Sequence, residues 1–82
     1  MNFAVLFEKV TDKDFPVGYY YAHVPSLGLT TPGLGIEGAR QAAGDLLRKW
    51  IAEKRANGES IPQTDETLFA TLELADDALQ GA

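Results

Sequence analysis

The chain contains no cysteine, which excludes a disulfide framework, a thiolate metal site and a cysteine nucleophile. Packing alone must hold the core, as suits a protein of a reducing compartment. Positive charge is scarce too: seven Lys and Arg stand against twelve Asp and Glu, a net charge of −5. Phosphate backbones are bound chiefly through Lys and Arg, so autonomous nucleic-acid binding is not expected. The imbalance is steepest from residue 59 onward, where Glu59, Asp65, Glu66, Glu73, Asp76 and Asp77 occur without any Lys or Arg. A basic partner would be steered toward that end, although such a run also reads as a solubilising tail. No stretch approaches the ~20 apolar residues of a membrane span, and residues 1–10 lack the basic start and apolar run of a secretory signal. A soluble, cytoplasmic protein is the expectation.

What is present suffices for one folded domain. Domains commonly hold ~100–150 residues, so 82 residues leave no material for a second core. Hydrophobic residues make up 45%, well above the content of chains that stay disordered. A domain this small hides a limited fraction of its surface, and oligomerisation often supplements it; a dimer or tetramer is expected.

Phe3, Ala4, Val5, Leu6 and Phe7, followed by Glu8, Lys9 and Val10, form an aromatic and branched run that predicts a first strand. The polar stretch 11–16 ends in Pro16 and reads as a loop. Residues 18–24 predict a second strand with Tyr20, Ala22 and Val24 on one face and Tyr19, Tyr21 and His23 on the other. Pro25 ends it. After the turn Pro25-Ser26-Leu27-Gly28, residues 29–31 predict a short third strand, stopped by Pro32 and Gly33.

From 36 to 57 the period becomes helical. Steps of 100° place Ile36, Ala39, Ala43, Leu46, Leu47, Trp50 and Ile51 in one arc of roughly 140°. Gly35 is the expected N-cap; Glu37 in the first turn and Lys54 and Arg55 in the last match the helix dipole. Asn57 and Gly58 provide a left-handed stop, with Pro62 beyond. Gly38 and Gly44 are unusual inside a helix, each costing about 1 kcal/mol relative to alanine, and close packing on the sheet is one reason for either. Residues 67–74 alternate, with Leu68, Ala70, Leu72 and Leu74 on one side, and predict a fourth strand. The expected fold class is therefore α+β, in the order β-β-β-α-β, with an antiparallel sheet and one long helix on one face. The domain spans 1–74, followed by an acidic tail at 75–82.

Several short motifs resemble the HicB antitoxin family. Gly18-Tyr19-Tyr20-Tyr21-Ala22-His23-Val24-Pro25-Ser26-Leu27-Gly28 is similar to the family's Gly-aromatic strand and its Pro-Asp-Leu-Pro-Gly-like turn. Gly35-Ile36-Glu37-Gly38-Ala39 resembles the family's helix opening. Trp50-Ile51 and Asn57-Gly58-Glu59-Ser60-Ile61-Pro62 resemble its helix end and Gly-Glu-x-(Ile/Leu)-Pro exit. The likeness covers roughly residues 3–74. The departures are Ser26 for the usual Asp, a turn one residue shorter, and Gly38 for a usual Glu. The resemblance implies a degenerate ribonuclease-H-like half fold without that enzyme's metal carboxylates, which binds and covers a small basic RNA-cleaving toxin of the HicA type. It also implies that DNA binding, which relatives place in an added carboxyl-terminal domain, is not expected of this polypeptide alone.

No catalytic residue, metal site or cofactor is expected. His23 is the only histidine and lacks a cysteine or second histidine to work with; a structural or surface role suits it better than proton transfer. The carboxylates are spread along the chain, and Asp12-Lys13-Asp14 reads as a solvated turn. Gly33-Leu34-Gly35-Ile36-Glu37-Gly38 has Gly-x-Gly-x-x-Gly spacing at a helix start, but the lysine of the P-loop is missing, and phosphate binding there is a weak expectation. The more informative feature is that one helix covers one face of a sheet, while strand one has apolar residues on both faces and strand two tyrosines on both. The second face predicts an interface. Tyr19 and Tyr21 are the expected anchors, and Glu73, Asp76 and Asp77 the carboxylates for a partner's Lys or Arg. The alternatives are a self-associating module with no toxin partner and, more remotely, a nuclease retained from the ribonuclease-like ancestry.

Overall fold

The computed structural model describes residues 1–75. Three strands, β1 (Leu6–Lys9), β2 (Tyr19–Val24) and β3 (Leu29–Leu34), precede one helix, α1 (Gly35–Ala56). The strands form an antiparallel sheet in the order β1-β2-β3, with Phe7 opposite Ala22 and Ala22 opposite Thr31. The fold is α+β, as the pattern of the sequence predicts.

Each connection has a local cause. Asp12 Oδ1 accepts the Asp14 N–H at 2.9 Å and the Phe15 N–H reaches Asp12 O at 3.2 Å, an Asx-type turn that folds the loop after β1. The Val10 N–H donates to Tyr19 O at 2.9 Å, closing the hairpin. β2 and β3 are joined by a tight turn in which Leu27 and Gly28 donate to Val24 O and Pro25 O. β3 passes into α1 with no intervening loop. Gly35 makes that corner at φ +69°, a left-handed conformation that a Cβ disfavours, while its N–H is held by Gly18 O at 2.8 Å. The helix ends in a Schellman motif: Gly58, at φ +68°, donates to Arg55 O, and Glu59 donates to Lys54 O.

The core is a seam of small residues. Ala22 on β2 and Ala39 and Ala43 on α1 are buried together, flanked by Val5, Phe7 and Tyr20, while Val24 and Val10 are buried outside this cluster. The face of β2 carrying Tyr20, Ala22 and Val24 therefore lies under the helix.

Five expectations need correction. The first strand begins at Leu6 and not at Phe3, and ends at Lys9. β3 does not stop at Pro32: it continues through Pro32 and Gly33 to Leu34. An edge strand tolerates proline because one of its sides forms no ladder. The N-cap is Leu34, without a side-chain hydrogen bond, and Gly35 is the first helical residue. Ile36, placed by the arc on the buried side, remains 47% exposed, since it precedes the point where α1 meets the sheet. Residues 67–74 form no strand. After α1 the chain returns only to the lead of β1, where the Thr64 N–H donates to Asn2 O at 3.1 Å and the Ala4 N–H donates to Thr64 Oγ1 at 2.9 Å. Alternation needs a ladder to pair with, and beyond Thr64 the chain leaves that edge.

The glycines divide differently from the sequence reading. Close approach to the helix belongs to Gly33, where an added Cβ would run into the backbone of Gly38 and Ala39. At Gly38 it would meet only ordinary contacts, and at Gly44 only the mobile guanidinium end of Arg48. Gly44→Ala is therefore expected to stabilise the domain by up to about 1 kcal/mol, a rise in Tm of roughly 4–8 °C that thermal unfolding followed by circular dichroism would detect.

Candidate functional site

The sheet face away from α1 is the candidate site. Cross-strand pairing aligns Leu6, His23 and Thr30 in one row and Glu8, Tyr21 and Pro32 in the next, with Tyr19 opposite Leu34. Paired residues share a face, so the register alone gathers three aromatic or imidazole rings and several aliphatic groups on the uncovered side. The loop after β1 adds Phe15. Its ring lies 5.8 Å from Tyr19 and 5.9 Å from Tyr21, the latter edge-on, and Tyr21 lies 5.9 Å from His23. Such tilted pairs each contribute about 0.5–1.5 kcal/mol beyond burial and hold the rings in place before any partner arrives. Leu34 and Val17 at the margin are exposed.

His23 is held at both nitrogens. Glu8 Oε1 lies 3.0 Å from Nε2 and Thr30 Oγ1 lies 2.8 Å from Nδ1. A carboxylate can only accept, so Nε2 carries the proton facing Glu8, and the Thr30 hydroxyl donates to Nδ1 when the ring is neutral. Hydroxyl, imidazole and carboxylate follow the order of a nucleophile, base and orienting group. Acyl transfer also needs free N–H donors for the developing oxyanion and a walled cleft. His23, however, sits on the central strand, whose backbone is paired on both sides, and the face around it is open. The arrangement is that of a polar cross-strand cluster, and a contact this exposed contributes at most about 1 kcal/mol.

The structure brings Tyr19, Tyr21 and His23 together as the alternation predicts. It does not bring Glu73 to them: that residue lies in the exposed stretch after Thr64, with no hydrogen bond or ion pair to the sheet among the described residues. Asp76 and Asp77 lie outside the described residues. Phe15, Glu8 and Thr30 were missed by sequence reasoning, because their proximity follows from hairpin register and from the Asx turn. The Asp12-Lys13-Asp14 spacing carried the signal for that turn, though not for where it aims Phe15.

Two hollows accompany this face, the second of them bordered by Phe15 and Val17. A groove of about 350 Å³ runs between the free edge of β1 and α1, lined by Phe3, Val5, Phe7, Ala43, Gly44 and Leu47, with Arg40 at its side. A second, more polar hollow of about 430 Å³ sits in the loop after β1. Among the described residues no group of three or more His, Asp or Glu is placed to hold a metal ion, and no helix is long and apolar enough to cross a membrane.

No family model, no curated protein and no solved structure matches the chain. The resemblance to the HicB antitoxins accordingly rests on the quoted motifs alone.

Proposed function

We propose that this chain is a HicB-like protein-binding module of the cytoplasm. Its tyrosine face would cover a small basic RNA-cleaving toxin of the HicA type, with the acidic carboxyl-terminal segment adding charge. It performs no catalysis of its own, and its net negative charge directs it to a basic protein in preference to a nucleic acid.

One observation carries the reading. α1 covers the Ala22 face of the sheet, and the opposite face presents Tyr19, Tyr21 and Phe15 already packed edge against ring. Tyrosines with fixed rings lose little conformational entropy on binding and are enriched among the residues that dominate interfaces. The Glu8 carboxylate beside them, exposed and turned to His23, is placed to meet a partner's Lys or Arg.

The test is titration calorimetry of the purified protein with the product of the adjacent gene, provided that product is small and basic. A complex of defined stoichiometry is expected. Tyr21→Ala should weaken it about 30-fold, the ~2 kcal/mol of an interface anchor. No heat with that product, or equal affinity for the variant, would overturn the proposal. The second reading, a self-associating module with no toxin partner, is favoured by the exposed apolar side chains that follow Thr64.

A further inference from the structure

The free edge of β1 and the unpaired residues 67–74 have complementary features. β1 pairs with β2 on one side only, so its other side presents unpaired backbone N–H and C=O groups. Alongside that edge lies the 350 Å³ groove, whose walls are Phe3, Val5 and Phe7 from the β1 side and Ala43 and Leu47 from α1. Residues 67–74 have strand alternation without a strand, and their large apolar side chains lie in water: Leu68 is 84% exposed, Phe69 74%, Leu72 86% and Leu74 54%. We propose that this segment adds to the β1 edge of a second copy of the chain, each copy donating its segment to the other in a closed two-fold dimer.

The tether at Thr64 argues against pairing with the chain's own edge. The bonds from Thr64 N–H to Asn2 O and from Ala4 N–H to Thr64 Oγ1 set Thr64 opposite Phe3, as at the start of a parallel ladder. Continuing in that register puts Glu66 opposite Val5, a carboxylate facing the apolar groove, which is costly to bury without a partner. The same register aligns Ala70 with Lys9, the last residue of β1, and carries Leu72 and Leu74 past the end of the strand. The edge of a second copy is not bound by this tether. There Leu68, Ala70 and Leu72 can occupy the groove side together, and Arg40 meets an incoming segment whose charges, Asp65, Glu66 and Glu73, are all negative. Exchange of identical elements is a low-cost route to a dimer, because each copy satisfies the other's edge with contacts of the same kind. The sheet surface used is its edge, separate from the tyrosine face, so toxin binding at that face and exchange at the edge can fail independently, although both draw on the segment that carries Glu73.

Light scattering on the full chain tests it, with Leu68→Asp/Leu72→Asp and Leu72→Pro as variants. Both positions lie in water in the single copy, so the substitutions should leave its helical circular dichroism unchanged. The wild type is expected at twice the chain mass, or an even multiple, and both variants at half the wild-type value. The proline variant breaks strand pairing without adding charge, which separates a lost ladder from simple repulsion. A wild type at one chain mass would overturn the proposal, whether the segment is free or folded onto its own edge. An assembly whose mass neither variant changes would overturn it equally, since the copies would then meet through another surface.

Discussion

Gly33→Ala is expected to leave the chain without a cooperative thermal transition above room temperature. The Cβ it introduces would point into the backbone where Gly38 joins Ala39, and backbone cannot step aside as a side-chain tip can. Relief requires the first turns of α1 to lift from β3, which opens the Ala22–Ala39–Ala43 seam along its length. A loss of about 4 kcal/mol or more follows from overpacking plus the burial given up, comparable to the whole stability that so small a core supplies, ~3–5 kcal/mol. Gly38→Ala is the matched control. It places the same methyl on the helix side of the same junction, with nothing nearer than 3.5 Å, and should change stability by no more than about 1 kcal/mol. Loss of the transition in the first and its retention in the second would locate the constraint on the strand. Equal melting of the two would refute it.

Ala39→Leu should have the next largest effect, about 2–4 kcal/mol of destabilisation in a urea titration. Ala39 is fully buried against Ala22 and beside the backbone of Gly33, so three added carbons have no space to enter. Ala43, one turn later on the same stripe, differs. It is as well buried, yet it borders the groove at the β1 edge. With the groove unfilled, as in the Leu72→Pro variant, leucine at Ala43 should therefore cost less than about 1 kcal/mol, its extra bulk turning into that space. If both leucines cost the same, the groove is not available to side chains at that position.

Much of this architecture is legible in the sequence, for reasons that differ by element. The split of β2 into a Tyr20–Ala22–Val24 side and a Tyr19–Tyr21–His23 side follows from alternation alone and holds in the structure. The long helix follows from its period and its charged ends, and its termination at Gly58 from the left-handed preference of glycine. Other features depend on distance through space, which a linear pattern does not encode. Proline and glycine at 32 and 33 read as a stop, whereas proline sits on an edge and Gly33 is the contact point for the helix. The Glu8–His23–Thr30 cluster needs the register of two hairpins. Residues 67–74 show the limit of periodicity: it reports that a segment suits a ladder, not that a ladder is within its reach.

The small-residue seam has a further consequence for the energetics of the domain. Alanine and glycine lose no side-chain rotamer freedom on burial, so closing the helix onto the sheet through Ala22, Gly33, Ala39 and Ala43 proceeds almost without that entropic penalty. The same residues remove few methyl and methylene groups from water. The heat-capacity change of unfolding scales with that apolar area, so it should fall below the ~12–15 cal/mol/K per residue usual for globular proteins. A small heat-capacity change gives a broad, shallow stability curve. The fold's resistance to temperature would then vary little between cold and warm conditions, a property that follows from the small residues of this seam.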